Sequence, residues 1–535
     1  MGAIARFLDT VGLGPREEKA GPGPITAQYM RGNRGPLFGG WKPFLREAHV
    51  DVREAWADAT ARSLDFIHNS GWISGGIDQS VADTVGEGLK LNAKPDHEAL
   101  GITETAASDL AKTLERRFAQ WANDPLECDI EGRRTFGQMQ SSSFRMWYPT
   151  GEVLWELPWK RRTGREYYTK VRVLPSTRLA NKNDSFNRVF HGIRMDGDMF
   201  PVGYVFNVKD PVYGIQTETE IQARDSLGRP RIVHTYDGVP GQFRGISVLA
   251  PALQLARQYD QFANATLTSA ILQNVFAATL ESPLPTAEAM EGLLTQQEQA
   301  QLMKEGGTLF GAWQDAMQAW SESIDIDLGV PGRIAHTFPG QKLEFKGAIT
   351  PLGGNKDFAL YLMRELARCM GLMYESLTGD YEGVTFSSIR MATGSNHKVV
   401  RMRRKNILAP PCQAAYEAWF EEEVERGGVQ VPGGPENFIK NRAALCRAEW
   451  KGSPQLQPDD TKTATAQAMW QKMGIKSDTM LAAENGDDYE EVLADRAREM
   501  EARKRLKLPE PEVGIIPPPP SDGEDKPGKG KKVDG

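Results

Sequence analysis

The sequence predicts a mainly helical α+β protein, and three observations support this prediction. Stretches in which apolar residues recur at intervals near 3.6 residues lie on both sides of a central region. That region, residues 152–235, is rich in β-branched and aromatic residues, and turn signals such as Asp196-Gly197-Asp198 divide it into strands. The length of 535 residues, at roughly 150 residues per domain, leaves room for several cores.

The chain ahead of the predicted strands begins with an irregular arm, because residues 15–42 are rich in glycine and proline. A helical pattern then starts at His49 and continues to about Ser80, with glycines interrupting it. Two further helices are predicted at Ser108–Trp121 and Phe136–Tyr148. Each is followed by a turn signal that contains proline, which predicts where the helix ends.

The longest unbroken helical pattern follows the strands and spans residues 246–280. Pro251 falls near its start, where the missing N–H costs least. A mixed stretch comes next, and helical periodicity returns at Asp357–Glu375. These two long helices therefore bracket a compact insert of mixed α and β character.

The C-terminal part is predicted to begin with a second pair of helical segments. Ser387 is the predicted N-cap of a helix that continues toward Glu423. Pro410 and Pro411 predict a kink or break midway along it. Residues 450–507 are also expected to be helical.

Charge and hydropathy exclude several classes of protein. Lys and Arg number 64 against 71 Asp and Glu, which gives a net charge of −7, so the chain does not coat DNA by bulk positive charge. The mean hydropathy is −0.47, and no run of 18 apolar residues predicts a membrane span. The N-terminus is too short and too interrupted for a signal peptide. A soluble protein that makes no membrane contact is expected.

No catalytic or metal-binding motif is found. The sequence lacks a phosphate loop of the GxxxxGK[ST] type, a GxSxG elbow and an HExxH helix. The Asp459-Asp460 and Asp487-Asp488 pairs are typical of helix starts rather than cation sites. The cysteines are far apart and form no CxxC pair: Cys128, Cys369, Cys412 and Cys446. We therefore expect no enzyme activity, no cofactor and no metal.

One segment, residues 390–405, concentrates positive charge in a chain whose net charge is negative. Its cationic residues are Arg390, Lys398, Arg401, Arg403, Arg404 and Lys405. This basic helix has two interpretations, which the sequence leaves open. It is either a solvated helix face or a surface that meets phosphates or an acidic patch on a neighbouring subunit.

Several blocks of the sequence together resemble the lambda-type family of tailed-phage portal proteins. The matching blocks are ISGGIDQSVADTVGEGLKL (73–91), WANDPLECDIEGRRTFGQMQ (121–140) with GEVLWEL (151–157), VHTYDGVPGQFRGISVLAPAL (233–253), ESLTGDYEGVTFSSIRMA (375–392), and a C-terminal series of Trp450, Asp459-Asp460-x-Lys462 and NGDDYEEV (485–492). Each block is short and accepts substitutions at many of its positions. Their shared order along most of the chain makes the resemblance specific.

The resemblance implies a portal fold of wing, stem, clip and crown regions, assembled as a dodecameric ring with a central channel. It implies the following regions: an N-terminal arm (1–42), a wing (43–245), stem helix one (246–280), a clip (281–350), stem helix two (351–375), a tunnel loop (376–387), a kinked wing helix (388–440), a crown (441–508) and a disordered tail (509–535).

The tunnel loop is where the resemblance implies contact with DNA. Its candidate residues are Thr378, Gly379, Asp380, Tyr381, Glu382, Gly383, Val384, Thr385 and Phe386. Gly379 and Gly383 would allow the loop to change conformation. Tyr381 and Phe386, its large side chains, either anchor the loop to its own wing or contact DNA.

The resemblance also implies partners and a location. The implied partners are other copies of the chain, double-stranded DNA, the terminase large subunit, the major capsid and scaffold proteins, and a head-completion or adaptor protein. The implied location is the portal vertex of the virion, after assembly in the bacterial cytoplasm. The alternative is another ring-forming head–tail connector without DNA gating, which the length of the chain disfavours. A packaging nuclease or motor lacks support because neither an ATP loop nor a carboxylate cluster is present.

Overall fold

The structure is a computed structural model that describes residues 45–209, 216–280, 295–297, 300, 318, 333–336, 352–453, 460–485 and 489–509. Over these residues it is mainly helical with small sheets, which confirms the predicted α+β class. The predicted clip, residues 281–350, lies almost entirely outside the described residues, as do the whole N-terminal arm and all of the tail except Pro509.

The first part of the chain is helical. Its elements are α1 (Ala48–Asn69), α2 (Gly71–Thr84), β1 (Lys90–Ala93), α3 (His97–Leu100), α4 (Glu104–Asn123), α5 (Pro125–Cys128) and α6 (Phe136–Thr150). Helix α6 begins at a capping box between Thr135 and Gln138 and ends at Gly151, whose φ is +75°. The helix predicted at Phe136–Tyr148 is confirmed, and it continues through Pro149 to Thr150.

The predicted strand region is confirmed as two antiparallel sheets. Its strands are β2 (Glu152–Glu156), β3 (Arg172–Val173), β4 (Val189–Phe190), β5 (Ile193–Met195), β6 (Pro201–Lys209), β7 (Gln216–Gln222) and β8 (Ile232–Tyr236). Strand β2 lies between β3 and β8, with Glu152 opposite Tyr236. The other four strands form a meander in the order β4-β5-β6-β7.

The next elements include the two long helices and the kinked one. They are α7 (Leu253–Val275), β9 (Phe276–Leu280), β10 (Arg333–His336), α8 (Leu352–Met370), α9 (Tyr374–Thr378), α10 (Phe386–Arg403), a π-helical turn (Arg404–Leu408) and α11 (Ala409–Glu425). Helices α7 and α8 pack on each other, and the rings of Phe262 and Phe358 meet edge to face. The expectation of a kink or break at Pro410 and Pro411 is met as a break, because a π-helical turn interrupts the α-helix directly before Ala409.

The helix predicted at 246–280 is shorter at both ends than expected. At its start, the Ser247 hydroxyl donates to the Tyr148 carbonyl oxygen, and a 3₁₀ turn with Pro251 precedes α7. At its end, Phe276–Leu280 is a strand paired in parallel with β10. The periodicity of 246–280 carries no information about this pairing with a distant segment, and therefore overestimates the helix.

The chain closes with short helices and one strand. These elements are α12 (Gly434–Lys440), α13 (Arg442–Leu445), β11 (Ala448–Lys451), α14 (Asp460–Lys472), α15 (Asp478–Glu484) and α16 (Tyr489–Leu506). Strand β11 pairs antiparallel with β1, with Lys90 opposite Lys451, and so joins the C-terminal part to the N-terminal helices.

An aromatic cluster forms the centre of the core. The ring of Phe118 on α4 lies 5.2–5.9 Å from its aromatic neighbours, which are Trp121, Phe136, Tyr416, Trp419 and Trp450. These residues come from α4, α6, α11 and β11, so the cluster connects the N-terminal helices to segments near the other end of the chain. No helix among the described residues has both the length and the apolar character needed to span a bilayer.

Candidate channel loop and basic helix

The residues that precede the loop between α9 and α10 are packed against helix α2. Met370 ends α8, Gly371 turns the chain with a φ of +69°, and Leu377 on α9 is buried. Both Met370 and Leu377 pack against Gly76 of α2, where a Cβ atom would lie 2.8 and 2.6 Å from their side chains. The absence of a side chain at Gly76 therefore lets the base of the loop approach α2 closely.

Backbone bonds within the loop define its shape. Gly379 ends α9 with a φ of +67°, and its N–H donates to the carbonyl oxygen of Glu375 at 2.8 Å. The Asp380 carboxylate accepts from the backbone N–H of Glu382 at 3.0 Å, an Asx turn. Gly383 also has a positive φ, +72°. Both glycines of the predicted tunnel loop thus occupy a backbone region that favours glycine.

Helix α10 begins earlier than the sequence predicts. Its N-cap is Thr385, whose hydroxyl accepts from the N–H of Ser388 while the Ser388 hydroxyl accepts from the Thr385 N–H. The predicted N-cap, Ser387, is wrong because this reciprocal capping pair satisfies two backbone donors, and Ser387 lies inside the first turn.

The tip of the loop is exposed. Tyr381 has 55% of its surface accessible. Glu382, Gly383 and Thr385 are exposed as well. The side chain of Phe386 lies outside the described residues, and its role stays a prediction. The loop therefore presents a polar surface with one aromatic ring.

The basic helix divides into exposed and buried cations. Arg390, Lys398, Arg401 and Lys405 are exposed. Their successive spacings of i+8, i+3 and i+4 place all four near one face of a helix. The structure thus leaves a basic stripe along α10 and the start of the π turn, made of these four residues.

Arg403 and Arg404 are not part of that surface, so their prediction as surface cations is wrong. Arg403 is 6% exposed and Arg404 is 9% exposed. Their guanidinium groups are the right shape to donate several hydrogen bonds to fixed carbonyl oxygens, and both are used inside the chain in this way.

Arg403 connects the base of the loop to two N-terminal helices. It donates to the Met370 carbonyl oxygen at 2.8 Å, to the Tyr148 hydroxyl at 2.9 Å and to the Ser80 hydroxyl at 3.3 Å. Its guanidinium also lies 5.1 Å from the centre of the Trp147 ring.

Arg404 connects the C-terminal part to the end of α2. It donates to the carbonyl oxygens of Thr84 at 2.7 Å, Asp83 at 2.8 Å and Ser453 at 2.9 Å. Ser453 follows β11 and precedes the C-terminal helices. The two adjacent arginines at the π turn thus hold the loop base on one side and the C-terminal part on the other.

A second buried cluster contains residues of the 233–253 block, which the sequence singles out only because it resembles the family. Arg244, fully buried, forms a bidentate ion pair with Glu152 of β2. His234 of β8 bonds the same carboxylate at 2.9 Å, and the Gly245 N–H donates to it at 3.1 Å. The centre of the Trp56 ring on α1 lies 4.4 Å from the Arg244 guanidinium carbon.

This cluster fixes where the long helix α7 leaves the sheets. At Gly151, with φ +75°, a Cβ would collide with the backbone of Ile246. At Gly245 a Cβ would collide with the backbone of Gly151. The chain at Gly245 and Ile246 is therefore packed backbone to backbone against the start of β2, which explains the glycine at position 245.

Electrostatics in the cluster favour an ionised Glu152 and a neutral His191. Burial alone would raise the pKa of Glu152, but the Arg244 charge and the His234 hydrogen bond lower it to about 2. Burial and the positive charge of Arg244 lower the pKa of the nearby His191 to about 3. His191 also has a φ of +52°, and its Nε2 has no hydrogen-bond partner among the described residues.

Groups that could hold a metal ion are absent from the described part of the chain. The geometry offers an exposed loop, a basic stripe and buried networks that position them.

Comparison with known proteins gives these features a family. The family model described as "Phage portal protein, lambda family" matches residues 34–404. The chain belongs to this family. The match includes the loop, most of the basic stripe and both buried arginines.

Two curated relatives extend the match. The portal protein of Escherichia phage N15 is 26% identical over 486 residues, which cover 90% of this chain and 91% of that protein. Portal protein B of Escherichia phage lambda is 27% identical over 496 residues, 91% of each chain. This chain is therefore a portal protein of a tailed phage and a virion component, as the resemblance implies. The family is structural, and neither relative is described as an enzyme.

Solved structures give weaker likenesses. A chain in the virion of a native gene transfer agent particle matches with a TM-score of 0.40 and 13% identity, covering 87% of this chain and 99% of that one. A chain in the neck of a native gene transfer agent particle, computed with C12 symmetry, has a TM-score of 0.31 at 13% identity, covering 82% of this chain and 99% of that one. Scores this low do not establish a shared architecture.

Proposed function

We propose that twelve copies of this portal protein form a ring at one capsid vertex, and that double-stranded DNA enters and leaves through its central channel. The observation that carries the proposal is the lambda-family match over residues 34–404. Inside that match, the predicted tunnel loop is represented by the segment 379–385 between α9 and α10, whose base is packed on Gly76 and bonded to Arg403. In the ring this loop faces the channel.

The chemistry of the loop suits a surface along which DNA slides. Each phosphate that a protein neutralises adds salt-dependent affinity, so a strongly basic channel would retain DNA. The loop instead exposes Glu382, with Asp380 partly exposed, beside the ring of Tyr381. The basic stripe of Arg390, Lys398, Arg401 and Lys405 is confined to the helical segment that follows.

The partners follow from the portal role. The terminase large subunit and later a head-completion protein dock on the clip, residues 281–350, whose assignment is supported by the resemblance alone. The major capsid and scaffold proteins surround the ring during assembly in the bacterial cytoplasm. The wing, stem and crown assignments of the remaining regions are part of the same proposal.

Reversing the charge of the basic stripe tests the channel assignment. We expect R390E/K398E/R401E to lower the amount of nuclease-protected DNA per capsid at least tenfold in a packaging assay. The matched control is R116E/K440E/K472E, which changes the net charge equally, because Arg116, Lys440 and Lys472 are also exposed and lie on other helices.

Ring formation and packaging together separate the outcomes. If rings form and packaging falls, the stripe acts on DNA. If rings fail to form, the stripe meets a neighbouring subunit. Normal rings with normal packaging would contradict both roles.

A further inference from the structure

A hairpin in the wing carries charge that neither the loop nor the buried networks use. Residues 158–168, hereafter the basic hairpin, are held by a backbone bond of 2.8 Å from the Lys160 N–H to the Tyr168 carbonyl oxygen. Gly164 turns the tip with a φ of +75°. The base is fixed to α11, because the Glu422 carboxylate accepts from the N–H groups of Tyr168 and Thr169 at 2.7 and 2.8 Å. The hairpin is therefore a preorganised surface.

The basic hairpin and the loop beside it form one patch. Arg162 donates to the Ile130 carbonyl oxygen at 3.0 Å and so joins the hairpin to the 130–134 loop. The patch contains Arg133, Arg134, Lys160, Arg161, Arg162 and Arg165. This is a local concentration of positive charge in a chain of net charge −7.

Some of these cations have acidic partners and others do not. Arg165 lies 3.7 Å from Asp124, and Arg134 lies 3.6 Å from Glu131. Arg133, Lys160 and Arg161 are exposed and form no ion pair with any acid that the structure describes. They are open to an external anion, and because they are on fixed backbone, binding costs little ordering of the chain.

An aromatic side chain stands beside these free charges. Trp159 is 47% exposed although its ring is held in place, with the Arg229 guanidinium 4.7 Å from its centre and the Tyr168 ring at its edge. Leu126, next to the 130–134 loop, is 46% exposed. A rigid, half-exposed tryptophan among arginines is the composition of a protein–protein hot spot.

The position of the hairpin argues against DNA in the channel as its partner. Helices α10 and α11 and the π turn between them form one path from Phe386 to Glu425, which spans at most about 60 Å at 1.5 Å per residue. The loop joins the start of this path and the basic hairpin packs on its end. If the loop faces the channel, which rests on the function proposed above, the hairpin lies at the outer edge of the ring.

We propose that the basic hairpin binds an acidic segment of another protein, one with carboxylates spaced around an apolar side chain. The carboxylates pair with Arg133, Lys160 and Arg161, and the apolar side chain packs on Trp159. Duplex DNA is disfavoured because affinity that rests on charge grows with the number of phosphates a protein neutralises, and a small patch neutralises few. Here four cations lack an acidic partner among the described residues, one of which, Arg162, already donates to the Ile130 carbonyl, and Glu131 and Glu166 at the edge of the patch repel phosphates.

Two labelled peptides and a DNA duplex test this proposal on the full chain by fluorescence anisotropy. One peptide has glutamates around a single leucine, and the other has lysines in place of the glutamates. The variants are K160E/R161E, W159A and the control R116E/K440E, which changes the net charge by the same amount as the first. We expect K160E/R161E to weaken binding of the acidic peptide at least tenfold and to gain affinity for the lysine peptide. We expect W159A to weaken binding of the acidic peptide several-fold. We expect the control to change that binding less than twofold.

The outcomes separate the alternatives. Equal weakening by K160E/R161E and by the control would show general charge attraction and overturn the proposal. Tight binding of the duplex that depends on Lys160 and Arg161, without binding of the acidic peptide, would assign the patch to nucleic acid and also overturn it. The mass of the same preparations reports ring formation independently. A ring that binds no acidic peptide removes this proposal alone, and peptide binding without a ring removes only the outer-edge argument.

Discussion

The Arg403 guanidinium donates a hydrogen bond to the carbonyl oxygen of Met370, the last residue of α8, across 2.8 Å. This bond joins the end of one long helix to the end of another, directly beneath the exposed loop that lies between them in sequence. The same guanidinium bonds Tyr148 of α6 and Ser80 of α2. The position of the loop is therefore set by a buried arginine at the far end of α10.

Replacing Arg403 by methionine tests that relationship. We expect R403M to lower the free energy of unfolding by about 3 kcal/mol, because the Met370 carbonyl and the Tyr148 hydroxyl stay buried without their donor. The measurement is urea unfolding of the full chain. R401M, which removes a nearby exposed arginine, is the control and should change stability by less than about 0.5 kcal/mol. Equal effects of the two substitutions would contradict the buried role of Arg403.

Two glycines with the same φ separate backbone strain from crowding. Gly151 and Gly164 both have a φ of +75°, but a Cβ at Gly151 meets the Ile246 backbone and a Cβ at Gly164 meets nothing within 4 Å. We expect G164A to cost about 1 kcal/mol from conformational strain alone. We expect G151A to cost about 4 kcal/mol or more, because a backbone cannot move aside as a flexible side chain can. Thermal unfolding of both variants measures the difference, and similar losses would show that Gly151 is not packed against Ile246.

We expect acid stability to depend on His191, because burial lowers the pKa of this histidine. Its pKa of about 3 in the folded chain lies below the ordinary value of 6.5, so between these values the unfolded chain takes up a proton that the native chain does not. Stability is therefore expected to fall as the pH falls from about 6.5 toward 4. Glu152 adds to this loss only at lower pH, between 4.5 and about 2.

An asparagine at position 191 isolates the contribution of the histidine. Asparagine tolerates the positive φ of this position and does not titrate. We expect His191→Asn to reduce proton uptake on unfolding by about one proton between pH 6.5 and 4, measured from the pH dependence of the urea midpoint. An unchanged pH dependence would mean that His191 is protonated in the native chain.

Local signals in the sequence predict much of the fold. The turn signal that ends at the glycine after α6 and the paired prolines at the start of α11 have their expected structural effect. The pairing of Lys90 with Lys451 is invisible to such signals, because it depends on two segments near opposite ends of the chain. The conversion of Phe276–Leu280 into a strand escapes prediction for the same reason.

The candidate site shows the same division. The presence of a break between the two helices follows from the interrupted periodicity, but its exact ends do not, and the charge of a residue does not tell whether it is buried. Arg401 and Arg403 are both arginines of the same basic segment, yet Arg401 is exposed and Arg403 is buried. A helical wheel does contain part of the answer, because Arg403 lies on the opposite face from the basic stripe. The partner of Arg244 was not predictable, because Glu152 lies far away in the sequence.

Native mass spectrometry of the purified full chain shows whether this portal protein forms a twelve-membered ring. We expect a particle with twelve times the 59.3 kDa mass of one chain, and a central hole in negatively stained class averages. A chain that stays at 59.3 kDa at every salt and protein concentration, and that also fails to assemble with capsid and scaffold proteins, would contradict the ring.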